Sequence, residues 1–265
     1  MLSGNGILSV LVLLALQLQV LLVGGDYIPP VKLDGFVYKN RRFNYDTIQI
    51  EAFYDPLCPD SADSWPPLKK ALHHYSHRVS LVVHLLPLPY HDNAFVASRA
   101  LHIVNGLNRT ATFPLLESFF KYQSEFYGAP TRNLSRASIV DEIVKFSSAV
   151  VGNSYHTSIK KGFNDTSTDL LTRVSFKYAT SRGVSGTPFF YVNGFVLPDT
   201  GSALNYSNWR DIIDPLIGTK KGRKTEESLH YFLLAPQNQS VWGTMANWRK
   251  RTICLQFFKN YSPEL

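Results

Sequence analysis

A nearly unbroken apolar run, VSLVVHLLPL at residues 79–88, is the feature that most limits how this chain can fold. A strand that is apolar on both faces is typical of the centre of a sheet covered by helices on both sides. Before it, TIQIEAFYD at 47–55 alternates polar and apolar residues and predicts another strand. Between the two, apolar residues at helical spacing predict a helix from Pro59 to Tyr75. The first half is therefore predicted to be strand, turn, helix and strand, with Cys58 at the turn.

The middle of the chain, residues 92–182, is predicted to be helical. Residues that favour helix starts recur there, at Asp92 or Asn93, Thr112 and Ser135. The strand pattern then returns in TPFFYVNGFVLPD at 187–199, where the pair Asn-Gly predicts a hairpin turn. Ser207 is predicted to cap a last helix.

Charge is unevenly distributed along the 265 residues. The formal net charge is +7, but residues 218–265 hold eight Lys and Arg against three Glu, so the rest of the chain carries only +2. With 45% hydrophobic residues the chain can bury a sizeable core, which argues against disorder. Because the basic residues gather in the segment 219–265 rather than on the folded part, a nucleic-acid partner is not expected.

The N-terminus predicts a cleaved signal peptide at residues 1–25. The apolar run at 7–23 is followed by small residues, Val23 and Gly25, at the −3 and −1 positions of a cleavage site. A membrane anchor is the alternative, but a spanning helix needs ~20 apolar residues, and this shorter run contains Gln17 and Gln19. We expect a mature chain that begins near Asp26, without stable membrane insertion.

Acceptor motifs for N-glycosylation support a secretory route. Six sequons fit the N-x-S/T pattern, at Asn108, Asn133, Asn164, Asn205, Asn238 and Asn260. Together with the signal peptide they predict a glycosylated chain that is secreted or held in the lumen of the endoplasmic reticulum.

The chain has two cysteines, Cys58 and Cys254, which is too few for a disulfide scaffold. The two could pair with each other and so tie the C-terminal segment across Cys58. The sequence leaves this open, since it does not supply the Cα spacing that a bridge requires.

Two motifs carry a resemblance to a known family. FYDPLCPDS leads into Cys58, and VSGTPFFYVNG covers residues 184–194. In this order, with helices between them, they resemble the DsbA-like branch of the thioredoxin superfamily over residues 35–217. The resemblance implies an α/β thioredoxin-like domain at 26–218, with a central mixed sheet flanked by helices and a helical insertion at about 92–182.

The resemblance also implies roles for individual residues. Cys58, followed by Pro59, would be the reactive thiol at a helix start, where unpaired N–H groups favour the thiolate. Thr187 and Pro188 would form a cis-proline edge that holds an extended peptide or a cysteine-containing protein beside that sulfur.

The chain departs from the family at two positions. Ser61 stands where the second cysteine of a C-x-x-C motif would be, so dithiol oxidation is not expected. The family's buried acid, six residues before the cysteine, is here Ala52. Glu51 is one residue away, and strand alternation sends it to the opposite face. The sequence therefore predicts that the proton-handling acid is lost along with the second sulfur.

Two functions follow, and the sequence leaves open whether the protein is an enzyme. The first is monothiol disulfide exchange or isomerisation at Cys58, with the resolving thiol supplied by the substrate or by glutathione and no other cofactor. The alternative is a non-catalytic peptide-binding or chaperone-like module with a degenerate redox site.

Histidines are the remaining candidates. His73 and His77 have the spacing of metal ligands on a helix, but without a third ligand no metal site is predicted. His84 is interpreted as a core histidine with satisfied hydrogen bonds. His91 and Asp92 are interpreted as a turn and helix cap.

Overall fold

The structure is a computed structural model and describes residues 32–40, 46–197 and 202–217. The chain forms two compact units, Met1–Asp211 and Ile212–Leu265, and of the second only residues 212–217 are described. The predicted signal peptide, the basic segment 219–265 and Cys254 lie outside the described residues. In chain order the strands and helices are β1 (Phe36–Val37), β2 (Ile48–Tyr54), α1 (Pro59–Tyr75), β3 (Val79–Leu85), α2 (Ala94–Leu107), α3 (Thr112–Tyr122), α4 (Gly128–Thr131), α5 (Arg136–Val151), α6 (His156–Gly162), α7 (Thr166–Ser181), β4 (Phe189–Val192), β5 (Phe195–Val196) and α8 (Tyr206–Ile217).

The strands form one mixed sheet in the order β1-β3-β2-β4-β5. β2 and β3 are parallel, joined by α1, whereas β1, β4 and β5 each pair antiparallel with their neighbour. Every residue of β3 is buried, as the apolar run predicts for a central strand. β1 was not predicted, because its two residues are too few to show a periodicity.

The two faces of β2 pack against different helices. Tyr54 contacts Trp65 of α1 and Phe120 of α3 on one face. On the other face Phe53 stacks with Tyr178 of α7. This alternation places helices on both sides of the sheet, which is the thioredoxin-like architecture that the sequence predicts.

Helices α2 to α7 all lie between β3 and β4, within the predicted insertion. Ser135 caps α5 as predicted, with its hydroxyl accepting a hydrogen bond from the Ser138 N–H at 3.1 Å. The predicted cap at Ser207 is wrong, because Ser207 lies inside α8. Asn205 accepts instead from the Asn208 N–H at 3.0 Å, so the start of the helix lies two residues earlier.

In the hairpin between β4 and β5, Asn193 and Gly194 both have positive φ, 50° and 81°. Those angles are the ones that a two-residue hairpin turn requires, as the sequence predicts.

Candidate functional site

Cys58 lies in the turn that joins β2 to α1. Its backbone is extended, its N–H donates to the Asp55 carbonyl at 3.1 Å, and its own carbonyl accepts from the Ala62 N–H at 3.1 Å. The first of these bonds closes the turn and the second begins the helix. Pro59 is the first helical residue, where the missing N–H of proline costs nothing. Within the described residues the Cys58 thiol has no disulfide partner, and the residue is only 4% exposed.

The structure brings Cys58 and Thr187 together, as the two sequence motifs predict. The Cys58 Sγ donates a hydrogen bond to the Thr187 carbonyl oxygen at 3.4 Å. The Thr187–Pro188 peptide bond is cis, the isomer that the motif predicts. β4 begins at the next residue, Phe189, which is paired with Phe53. Thr187 therefore lies just outside the ladder, next to the sulfur.

Ser61 is fully buried in the first turn of α1. Its hydroxyl oxygen lies 3.4 Å from the Asp55 N–H, which donates to it. Hydrogen bonds from the backbone and side chain of Ser61 to Cys58 lower the pKa of the thiol. Ser61 therefore occupies the second position of the redox motif and faces Cys58, but it cannot form a disulfide.

The thiol itself is not activated. Burial raises the pKa of Cys58 above its ordinary value, and the negative charge of Asp55 raises it further; the contacts with Thr187 and Ser61 only partly oppose them. The helix start does favour the thiolate, through the backbone contact with Ser61, but burial has the larger effect on the pKa of Cys58. Desolvation of a buried sulfur outweighs the helix N-terminus here.

Asp55 is a site residue that the sequence analysis missed. It is fully buried, and its carboxylate accepts hydrogen bonds from the Leu57 N–H at 2.8 Å and from the Leu88 N–H at 2.9 Å. His91 Nδ1 lies 2.7 Å from the same carboxylate. The interpretation of His91 as part of a turn is thus incomplete, because its side chain also contacts the Asp55 carboxylate. The sequence did contain a signal for this residue, namely an aspartate placed between an aromatic strand and a cysteine.

Asp55 is not the acid of the family, because the position six residues before the cysteine is the buried Ala52, as the sequence shows. Ala52 is buried, as a strand residue on the α1 face would be, and Glu51 does lie on the opposite face. That opposite face, however, is the one that holds Phe53, which belongs to the same core cluster as Cys58. Asp55 is thus a separate buried carboxylate, which comes from within the turn and not from the strand position of the family's acid.

A second buried polar group lies along the Phe53 face. His84 Nδ1 is 2.8 Å from an oxygen of Asp34, and His84 Nε2 is 3.5 Å from an oxygen of Glu51. The His84 ring stacks on Phe53. Burial lowers the pKa of His84, but these two carboxylates more than offset that effect. The pKa of His84 is therefore above its ordinary value. His84 is thus a core histidine between two acids, as predicted for its burial, but its hydrogen bonds are not all satisfied, because within the described residues Nε2 has no hydrogen-bond partner.

The approach to Thr187 is open on one side. A Cβ added at Gly186 would meet nothing within 4 Å, and Ser185 is exposed. Tyr90, which is 61% exposed, packs edge-on against His91 near the Cys58 turn. We call residues 186–189 the docking edge; Thr187 and Pro188 are buried in it, and Gly186 and Phe189 are half-buried.

The other predicted residues lie away from this site. Asn133, Asn164 and Asn205 are exposed and Asn108 is half-buried, whereas Asn238 and Asn260 lie outside the described residues. His73 and His77 are exposed at the end of α1. The described part of the chain holds no group of three His, Cys, Asp or Glu residues that could bind a metal ion. Within that part, too, no helix is both long and apolar enough to cross a bilayer.

Solved structures share this fold at low sequence identity. A protein from Pseudomonas syringae, provisionally named a protein-disulfide isomerase, is 22% identical with a TM-score of 0.54, over 63% of this chain and 93% of that one. MdbA of Actinomyces oris, a thiol-disulfide oxidoreductase, is 14% identical with a TM-score of 0.51, over 64% and 81%. MdbA of Corynebacterium diphtheriae, also a thiol-disulfide oxidoreductase, is 13% identical with a TM-score of 0.50, over 71% and 96%.

Comparison with protein-family models gave no match, and comparison with curated proteins gave none either. The structural likeness shows the fold: this chain has the DsbA-like form of the thioredoxin fold.

Proposed function

We propose that this protein binds extended peptide segments at the docking edge, with Cys58 as an unactivated thiol beside the bound chain. The observation that carries the proposal is the 3.4 Å contact between Cys58 Sγ and the Thr187 carbonyl, just outside the sheet ladder. A segment held in extended form on the open side at Gly186 would pair with the backbone there through β-strand addition.

Burial of the sulfur favours binding over catalysis. The attacking species in disulfide exchange is the thiolate, and both burial and Asp55 raise the pKa of Cys58. With the thiol protonated and Ser61 in place of a resolving cysteine, a docked peptide would be held mainly by non-covalent contacts.

Monothiol exchange is a second candidate, favoured by the same short distance between the sulfur and Thr187. In that reaction the Cys58 thiolate would attack a disulfide of the bound protein, forming a mixed disulfide and releasing one substrate thiolate. Glutathione or a second substrate thiol would then attack the mixed disulfide and release Cys58 as a thiolate. Neither step changes the total number of disulfides.

Binding of a cysteine-blocked, unfolded polypeptide tests the first proposal and separates it from the second. Reduced and carboxymethylated α-lactalbumin is a suitable probe, since it cannot form a disulfide. We expect the wild type and Cys58→Ser to bind it with similar affinity, and Pro188→Ala to bind it at least tenfold more weakly. Pro130→Ala, at an exposed proline of α4, is the matched control and should bind like the wild type. Loss of binding in Cys58→Ser alone would favour the exchange reaction.

A secretory route is proposed for the chain from its N-terminal apolar run and sequons. The exposed Asn133, Asn164 and Asn205 are the sites where a glycan is sterically easiest to accept. Mass spectrometry of the protein expressed in a eukaryotic host should find a chain that starts near Asp26 and carries N-glycans. An intact Met1 with all six asparagines bare would refute this route.

A further inference from the structure

We propose that this protein binds sulfated oligosaccharides in a cavity between α1 and the 3-10 turn Tyr38–Asn40 that follows β1. The cavity measures about 380 Å³, within the range of roughly 300–1,000 Å³ that is usual for ligand clefts. We call it the cationic cavity, and its lining includes Tyr38, Lys39, Lys69, Lys70, Leu72 and His73. The inference goes beyond the proposed peptide binding, because the cavity is not lined by the docking edge or by the Cys58 turn.

Helical spacing gathers the cations of α1 on one side of this cavity. Lys69 and Lys70 come four and three residues before His73, so the three side chains are neighbours on the helix surface. Lys39 reaches the same cavity from the turn after β1. All four of these residues are exposed, and the stretch of α1 and the following turn from Lys69 to Arg78 contains no acidic residue.

Two of the lysines have no carboxylate partner within the described residues. No aspartate or glutamate described by the structure forms an ion pair with Lys39 or Lys70, whereas Lys69 Nζ lies 2.6 Å from Glu117 Oε1. The two ammonium groups lie over aromatic rings instead. Lys39 Nζ is 5.5 Å from the centroid of Tyr38, and Lys70 Nζ is 4.3 Å from the centroid of Tyr206. The cavity therefore carries a surplus of positive charge that an anionic ligand would neutralise.

The backbone of Lys39 also points to a role for its side chain. Its φ of 53° and ψ of 29° are left-handed, a conformation that is unfavourable for a residue with a Cβ and that glycine adopts freely. Strained backbone of this kind is found mainly where a particular side chain is needed at that position. Lys39 thus supplies a cation to the cavity at a conformational cost.

The floor of the cavity favours a saccharide over a membrane or a nucleic acid. Tyr38 is 8% exposed and packs edge-on against Trp65 and Phe113. Leu72 is 3% exposed. Neither side chain is exposed enough to insert into a bilayer or to stack on a nucleobase. A recessed apolar floor below a rim of ammonium groups fits a sugar ring whose sulfate oxygens accept charge-assisted hydrogen bonds.

Calorimetric titration of the full-length protein with a heparin-derived tetrasaccharide tests the proposal. The wild type should bind the sulfated form, and the desulfated form should bind at least about tenfold more weakly, because it has lost the sulfate charges. Lys39→Gln combined with Lys70→Gln should weaken binding of the sulfated form about fivefold or more, because two charge-assisted contacts are lost. Lys121→Gln combined with Lys161→Gln is the matched control. It removes the same charge from two exposed lysines outside the cavity and should bind like the wild type.

Lys39→Gly separates the loss of the cation from damage to the fold. Glycine removes the ammonium group and relieves the left-handed backbone. The variant should therefore bind the tetrasaccharide more weakly, while its midpoint of urea unfolding is no lower than that of the wild type.

A variant of the basic C-terminal segment, Lys221→Gln combined with Lys224→Gln, locates the binding. It should bind like the wild type. The inference is overturned if the wild type does not bind the sulfated tetrasaccharide, if the cavity variant binds it normally, or if the control or C-terminal variant loses as much affinity. Tighter binding of phosphatidylserine vesicles or of a uridine oligonucleotide, lost with the same two cavity lysines, would also overturn it. None of these measurements involves a peptide or a thiol, so they stand apart from the proposed function.

Discussion

Cys58 Sγ and the carbonyl oxygen of Thr187 lie 3.4 Å apart, although 129 residues separate them in the chain. The contact joins the turn at the start of α1 to the segment that leads into β4. It is a hydrogen bond from a protonated thiol, and the burial and charge around the sulfur favour that protonation state. The site thus combines a proposed docking edge, of which Thr187 and Pro188 are buried and Gly186 and Phe189 half-buried, with a thiol whose pKa is raised.

Replacement of Ser61 by cysteine should restore internal disulfide chemistry. Position 61 lies one helical turn from Cys58 and faces it, and serine and cysteine are nearly isosteric. We expect Ser61→Cys to form a 58–61 disulfide under mild oxidation and to gain activity in an insulin-reduction assay. Turnover should be slow, because the raised pKa of Cys58 leaves little thiolate.

Peptide mapping after oxidation checks this expectation. Ser64→Cys is the matched control, since Ser64 is equally buried on α1 but lies six residues from Cys58, beyond the reach of a bridge. Cys58→Ser should abolish any mixed disulfide with glutathione at this site. If Ser61→Cys forms no bridge, the turn is not built as described.

A large side chain at Gly186 should block the docking edge without disturbing the fold. A Cβ there would meet nothing within 4 Å, and the residue does not need a positive φ. Gly186→Phe should therefore bind the carboxymethylated polypeptide at least tenfold more weakly, while its free energy of unfolding changes by no more than about 0.5 kcal/mol. Gly106→Phe, at another open position on α2, should bind normally. Unchanged binding by Gly186→Phe would place the peptide elsewhere.

Stability should fall at alkaline pH because of His84. Its folded-state pKa is raised by Asp34 and Glu51, so its contribution is complete below the unfolded value of ~6.5 and is lost as the pH rises through the folded pKa. Urea unfolding of the wild type at a series of pH values from ~6.5 upward should show the free energy of unfolding falling as the pH rises. His84→Phe should be less stable overall but should lack the alkaline decline, whereas His77→Phe, at an exposed position, should keep it.

His102 should act in the opposite direction. Burial lowers its pKa to about 4, so its contribution is complete above ~6.5 and is lost as the pH falls toward 4. Over that range the loss amounts to at most about 3 kcal/mol, because one pKa unit corresponds to ~1.4 kcal/mol. In the urea series, His102→Phe should reduce the acid decline. If the free energy of unfolding of His102→Phe falls at acid pH as much as that of the wild type, other groups cause the decline.

Much of the fold could be predicted from local patterns. The bounds predicted for α1 match the structure, and the start of α5 and the hairpin at Asn193 were also predicted correctly. These features depend on residues that are close in sequence, such as a cap and the first turn of its helix. The short strand β1 carries too few residues for such a signal.

The site was only partly predictable for a related physical reason. The pairing of Cys58 with Thr187 could be anticipated from two motifs, because each motif fixes its own local geometry. The pairs Asp55–His91 and Asp34–His84 span 36 and 50 residues and arise only when β3 packs into the sheet. The protonation of Cys58 could not be predicted either, since burial, which a local motif does not show, outweighs the helix start.

Hydrogen–deuterium exchange with and without the carboxymethylated polypeptide tests the central claim most directly, because it locates a bound chain on the unmodified protein. We predict that the polypeptide slows exchange in segment 185–192 and at the start of α1, residues 58–62, and leaves α5 and α6 unchanged. Protection confined to other segments, or no protection at all at saturating polypeptide, would contradict a peptide-binding role for the edge beside Cys58.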